Sequence, residues 1–544
     1  MLSQPIVDKK VLLTRAVPLI VFLGFLCSCQ KASVVEADAR PSDVVTYHYD
    51  NARTGQDLNE TLLTPANVDS ANFGKTGFLP VDGKVDAQAL YLDQVKIGNQ
   101  AVHNALFVVT EHDSVYAFDA DSGKVLWQKS LLEPGEIPSD DRNCAQVSPE
   151  IGITATPVID RSRGPNGTLY AVAMSKDENG KYYQRIDALD VSNGNELLNG
   201  PRLITASFPG KGDNSVNGKV VFDPEQYEDR AALLLVNGTI YTTWASHCDA
   251  RPYTGWIIGY SASTLNQMSV LNVTPNGNEG AIWMSGAGPA ADGAGNIYAL
   301  DGNGSFDEEL DSRGFPLQGD YGNAFLKLSA AGGRLNVADY FQMANQSKEN
   351  ADDADLGSGG VIVLPDVKDH SGKIWQLAVG AGKDKNIYVV DRNSMGKFHR
   401  DGNHIHQEMV SALGGGVFSK PAYYKGTVYY GGMEDKIRAF PIVDAKLQTP
   451  PSSMTPNIFH YPGTTPVVSA NGTRDAILWA VENGDPAVLH AYDATNLARE
   501  LYNSNQAGSR DHFGPGNKFI TPMVANGKVY VGTPNGVAVF GLLR

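Results

Sequence analysis

Cysteine is scarce in this chain of 544 residues, with four in all, at positions 27, 29, 144 and 248. None belongs to a CxxC or CxxCH motif, so the spacing supports neither a thioredoxin-type redox pair nor covalent haem attachment nor a zinc site. GxSxG, HExxH, GxxxxGK[ST] and the EF-hand loop are also missing, which leaves serine hydrolase, zincin, P-loop and calcium-sensor chemistry without support. Basic residues are the minority, 44 Lys and Arg against 60 Asp and Glu, and a formal charge of -16 repels nucleic acid. No apolar run is long enough to span a bilayer, and residues 16–26 (AVPLIVFLGFL) are the best attempt. Room for long helices is short as well, because 57 Gly and 29 Pro are spread along the whole length.

The short apolar run follows Lys9, Lys10 and Arg15 and precedes small residues, the layout of an export signal. Its end, Leu26-Cys27-Ser28-Cys29, resembles the lipobox of bacterial lipoproteins. The expectation is a lipoprotein-type signal peptide over residues 1–28, a lipid on Cys29 and a flexible tether over residues 29–45. Plain secretion after cleavage is the alternative. Gln30 after the anchor implies outer-membrane sorting by the same resemblance, so the protein is expected in the periplasm or at the cell surface, touching the membrane through its lipid alone. Export leaves Cys144 and Cys248 in an oxidising compartment, where two thiols most often pair, and a disulfide between them is expected. A reactive thiol or metal ligand is the competing reading, with no motif behind it.

What the chain has in abundance is one returning unit. Residues 106–127, LFVVTEHDSVYAFDADSGKVLW, hold an apolar β-run, a small-residue turn, a second β-run and a Gly corner. Seven weaker copies follow, down to VYVGTPNGVAVFGLL at the C-terminus. Another short run, usually with Pro and small residues, precedes many copies, as in GITATPVID, GGVFSKPAYY and FITPMVANG, and suits an innermost strand crowded near an axis. Residues 46–544 therefore read as one all-β domain, an eight-bladed β-propeller of four-stranded antiparallel blades. The last copy lacks an outer strand, and residues 73–81 (FGKTGFLPV) are expected to supply it from the N-terminal side.

AFDADSGKVLW and AYDATNLARELY resemble the pyrroloquinoline-quinone repeat, AxDAxTGxxxW, of the quinoprotein alcohol dehydrogenase-like propellers, from about residue 73 onward. Only Trp127 fills the tryptophan position cleanly. In the middle copies, NIYALDGNGSFD resembles the family's calcium-binding segment and implies Asn303 as a metal ligand. ENADDADLGSGG stands where the family has HDxWD, which implies Asp352 as the catalytic base and a metal ligand, with Asp355 as the second acid. GKDKNIYVVDRNSMG implies that Lys383 touches the quinone, and Trp283 lies near the position of the tryptophan that stacks under it. Asp249 is the nearest available third oxygen ligand. The resemblance thus implies a dehydrogenase dependent on pyrroloquinoline quinone and calcium, oxidising an alcohol or sugar hydroxyl and passing electrons to a separate carrier. Polarising a quinone carbonyl with a hard cation and removing the hydroxyl proton with a carboxylate explain why those residue types are needed.

The chain departs from that pattern. A vicinal Cys-Cys pair is reduced to Cys144, a calcium-binding Glu is replaced by SHCDARP, and HDxWD becomes Asp352-Asp353-Ala354-Asp355. A non-catalytic lipoprotein propeller that binds a protein or glycan in the cell envelope is therefore the alternative. Residues 47–60, YHYDNARTGQDLNE, read first as an anchor pinning the N-terminal segment to the disc and second as a set of ligand contacts. His399, His404 and His406 read as an exposed loop before they read as a metal site.

Overall fold

β-Branched and aromatic residues in alternating runs form the strands, and Asp, Asn and Gly corners end them. In the first repeat Leu90–Ile97, Ala101–Val109, Ser114–Asp119 and Val125–Ser130 pair antiparallel in chain order. Its tight corners fall at Asp113 and Gly123, both with left-handed backbone, φ 55° and 72°. This structure is a computed structural model and describes residues 42–98, 101–330 and 333–543. Cys29, the expected signal peptide and most of the tether lie outside the described residues.

Among the described residues, eight sheets carry four or more strands. After Leu90–Ile97 the innermost strands are Val158–Asp160, Leu234–Val236, Ala290–Ala291, Ile362–Val363, Ala422–Tyr424, Val467–Asn471 and Met523–Ala525. Several are only two or three residues long, as crowding near an axis requires. The expected closure is present: Phe73–Pro80 pairs antiparallel with Gly536–Leu542, running from Phe73 opposite Leu542 to Pro80 opposite Gly536. Phe73 fixes this clasp among Trp479, Tyr502 and Phe540, with ring centroids 5.3, 5.0 and 6.3 Å away. The chain is thus a β-propeller in which the N-terminal strand completes the last sheet.

Neighbouring sheets dock by burying aromatic side chains and satisfying their polar tips. Trp127 on the outer strand of the first sheet donates Nε1–H to Val191 O of the second at 3.0 Å and packs on the Gly194 corner, where a Cβ would lie 2.7 Å from the indole. Where that tryptophan is missing, tyrosines take over. Tyr170 donates to Ala262 O at 2.5 Å and Tyr429 to Ala494 O at 2.8 Å, each reaching into the following sheet.

One end of the axis is closed by a strap. Residues 44–58 run across the innermost strands, with amides of Tyr91, Ile159, Ala291, Val363, Tyr423 and Val468 donating to strap carbonyls at 2.6–3.0 Å. Asn51 Nδ2 donates to Leu235 O at 2.7 Å and the Val524 amide donates to Tyr49 Oη at 2.8 Å, so every one of the eight sheets is engaged. Arg53, fully buried, donates to the carbonyls of Pro289, Tyr47 and Leu233 and to Thr46 Oγ1 at 2.6–3.0 Å. Hydrogen bonds from a charged donor contribute about 1.5–3 kcal/mol each, which offsets the cost of burying the guanidinium. The polar segment expected to act as an anchor acts as one.

Candidate functional site

Innermost strands begin at the end of the axis away from the strap and run toward it. Second strands return, so the loops between second and third strands and the connections between sheets gather at the open end. A cavity of about 370 Å³ lies there. Connections entering four innermost strands supply its aromatic wall, Trp283, Phe418, Tyr461 and Phe519. The loops after Thr239–Ser246 and Leu377–Ala381 supply Cys248, Asp249 and Lys383. Other connections add Cys144, Glu228, Arg230, Asp353 and Asp355.

The rings form a continuous surface, with Trp283 6.2 Å from Phe418 and 6.1 Å from Phe519, and Phe418 5.5 Å from Tyr461. Cations lie against it: Lys383 Nζ is 6.0 Å from the Trp283 and Phe418 centroids, and the Arg230 guanidinium is 4.9 Å from Phe519. Cys144 and Cys248 form a disulfide whose two halves both line this cavity, joining loops 104 residues apart in sequence.

Lys383 organises the acids. Its Nζ lies 2.7 Å from Asp353 Oδ1 and 3.0 Å from Asp355 Oδ2. Burial opposes its charge, but Asp355 and Asp353 outweigh burial and hold its pKa above that of an ordinary lysine. Burial pushes the Asp355 carboxyl up, and Lys383 together with the Asn303 amide, 3.0 Å from Oδ1, reverses only part of that shift. Glu228 is held loosely, with Arg230 Nη1 3.8 Å and His247 Nδ1 3.5 Å away. Arg230 Nη1 and both His247 ring nitrogens are buried and make no hydrogen bond within the protein. Such atoms carry a desolvation cost that a polar ligand would relieve.

Several non-glycine residues here have left-handed backbone: Cys248, Asp249, Met284, Ser285, Asp353 and Phe519, with φ of 40–62°. Each conformation costs on the order of 1 kcal/mol or more and persists only where neighbours enforce it. The disulfide holds Cys248, the Tyr253 hydroxyl holds Asp249 at 2.9 Å, and Ser285 Oγ donates to Ser358 O at 2.7 Å.

The structure brings Lys383, Trp283 and Asp249 together around the cavity, with Asn303 beside them through its bonds to Asp353 and Asp355. Asp352 is placed elsewhere. It follows the short helix Gln346–Ala351, pairs with Lys348 one turn back and faces solvent. Asp355, expected as the second acid, is the one the chain buries at the cavity after leaving the helix. Asp249, Asn303 and Asp352 consequently do not form the expected ligand set. His399 and His404 stack at 4.2 Å with Asp401 close by on an exposed loop, whereas His406 packs on Trp375 instead.

Glu228, Arg230, Phe418, Tyr461 and Phe519 were not singled out from sequence. A signal existed for both groups. Glu228-Asp229-Arg230 abuts the apolar run AALLL with no turn residue between, and an aromatic recurs shortly before the Pro that opens an inner strand, as in Phe418, Phe519 and Trp283.

No protein-family model and no curated protein sequence matches the chain. Solved structures do. The quinohemoprotein alcohol dehydrogenase of Comamonas testosteroni superposes with a TM-score of 0.60 at 14% identity, over 93% of this chain and 82% of that one. Quinohemoprotein alcohol dehydrogenase ADHIIG of Pseudomonas putida HK5 gives 0.61 at 13% identity, over 92% and 80%. A europium-containing methanol dehydrogenase gives 0.54 at 13%, over 93% and 99%. In fold, the chain is a β-propeller similar to those of these dehydrogenases.

Proposed function

We propose that this is an exported oxidoreductase that holds pyrroloquinoline quinone in the open-end cavity and oxidises an alcohol or sugar hydroxyl. The observation carrying it is one cavity in which an aromatic wall, a disulfide, two cations and a buried carboxylate converge. The cofactor is a flat aromatic tricarboxylate. Trp283, Phe418 and Phe519 suit its faces, and Lys383 and Arg230, whose Nη1 makes no hydrogen bond within the protein, suit its anionic edge. The disulfide agrees with export, since such bonds persist in oxidising compartments. A lipid on Cys29 would make the protein membrane-anchored.

Bound there, the quinone would supply the hydride acceptor. Asp355 is the residue placed to take the hydroxyl proton, because its carboxylate is buried, held by Lys383 and the Asn303 amide, and raised in basicity by its surroundings. Lys383 keeps Asp355 oriented, and the aromatic wall excludes water. Electrons would leave to a separate carrier, since the sequence has no CxxCH attachment. Calcium does not fit the ligand set inferred from the resemblance, so no step is assigned to it.

Quinone binding is read by quenching of tryptophan fluorescence, and turnover by dye-linked oxidation of small alcohols and sugars. The Asp355→Asn variant is expected to retain quinone and lose at least roughly 100-fold in kcat. Absence of saturable quinone binding by the wild-type protein would sink the proposal.

A further inference from the structure

We infer that the cavity works without a divalent cation, because Lys383 occupies the position between Asp353 and Asp355 that such an ion would need. Its ammonium lies 2.7 and 3.0 Å from the two carboxylates. Calcium requires six to eight oxygens at about 2.3–2.6 Å, and a second positive centre within a few ångströms of the ammonium is repelled strongly in a poorly solvated site. The other ligands implied beside the lysine are engaged as well, and Glu228 faces Arg230 across the cavity. Asp355 Oδ1 accepts the Asn303 amide, Asn303 Oδ1 accepts Asn323 Nδ2 at 3.3 Å, and Asp249 Oδ1 accepts the Tyr253 hydroxyl at 2.9 Å.

The arrangement is fixed from behind. Asn323 is fully buried, and its Oδ1 takes the Leu356 amide at 2.7 Å, so freeing Asn303 for a metal would also disturb the segment that carries Asp355. Lys383 comes from a tight loop whose amide donates to Asp355 O at 2.9 Å, so lysine and acid are tied through both side chain and backbone. A lysine is a suitable substitute for the ion: a compact charge with three donors, here kept protonated by its two acids. The neighbouring fold includes a europium-containing methanol dehydrogenase, so the inference separates this chain from that protein on a measurable property.

The test uses the full purified chain, titrated with europium(III) under tryptophan excitation and with calcium by equilibrium dialysis. Signal belonging to the cavity is defined as that lost in Asp355→Asn. Wild-type protein is expected to show no micromolar cavity site for either ion. Lys383→Ala leaves Asp353 and Asp355 without their cation and is expected to gain affinity by at least roughly tenfold. A micromolar wild-type site that Asp355→Asn abolishes overturns the inference, and so does a folded Lys383→Ala variant with no gain. Should that variant fail to fold, the wild-type quinone affinity decides: equal values in chelator and in excess calcium support the inference, and a tenfold loss in chelator overturns it. This second arm rests on the proposed cofactor. If quinone binds under neither condition, that reading falls while the cation titration still decides the role of Lys383.

Discussion

Asp57 makes the strap sensitive to pH in a calculable way. It sits in the two-residue strand Gln56–Asp57, which runs parallel to Val467–Asn471, and it is 9% exposed. Burial raises its carboxyl to about 7, against the pull of the Asn59 amide and with the push of nearby Glu60. A folded-state pKa above the unfolded value of 3.8 means the neutral acid is the form the fold prefers. The stabilisation is complete below pH 3.8 and is lost as pH rises through about 7. Integrated from pH 5 to pH 8, this one group costs the wild-type protein on the order of 2.5 kcal/mol. A chain this long unfolds with an entropy near 1 kcal/mol per kelvin, so the cost appears as roughly 2.5 °C in Tm. Asp57→Asn keeps a neutral side chain of the same shape and should remove that component. The measurement is calorimetry of both proteins at the two pH values, with hydrogen exchange at strap amides as a local readout. Identical pH dependence in wild type and variant refutes the reasoning, and a wild type that gains on the variant at pH 8 reverses its sign.

Two further perturbations address docking and the cavity wall. Trp127→Ala removes an indole that fills the space above Gly194 and bonds Val191 O, and should cost about 3–5 kcal/mol, measured as a Tm loss of a few degrees, while Trp127→Phe should cost less than half of that. Cys144→Ser frees one half of the cavity disulfide and releases the left-handed Cys248-Asp249 turn, so quinone affinity in the fluorescence titration should fall by about tenfold or more, and reductant should lower the wild type to the same level.

The repeat was legible because its signal is redundant. Eight copies of alternating strands and polar corners specify the sheets even where a copy is weak, and the missing strand at the C-terminus pointed to Phe73–Pro80. Cys144 and Cys248 were legible as a pair because the expected export signal leaves them as the two thiols of the folded part. Placement was legible where a turn fixes position, as at Lys383, which lines the cavity from its two-strand loop, and at Asn303 after Ile297–Leu300, which bonds Asp353 and Asp355. It failed at Asp352 because four acidic or small residues in a row give no register by themselves. The helix Gln346–Ala351 sets that register by spending Asp352 on Lys348, and only then does Asp355 turn inward. Glu228 and Arg230 belong to no motif, and buried charges without one look like loop residues until neighbours enclose them.

The two ends of the axis differ in a way that bears on the proposed function. At the strap end, backbone groups of all eight innermost strands meet residues 44–58, and Arg53 binds four acceptors there. That end is closed, although His48, Tyr49 and Arg53 of the strap are left-handed too, with φ of 58–74°, and Gln88 Nε2 beside it makes no hydrogen bond within the protein. At the other, side chains carried by loops converge with strained backbone at six non-glycine positions and with buried donors such as Arg230 Nη1 still available. Strain and unmet polar groups are costs a fold can remove by substitution, and this one keeps them next to a cavity while tying them down with a disulfide and with Lys383. A ligand that is flat, anionic and aromatic would cover the rings and meet the donors left without hydrogen bonds, and so the interior of the open end, more than the resemblance of the repeats, supports the proposed cofactor.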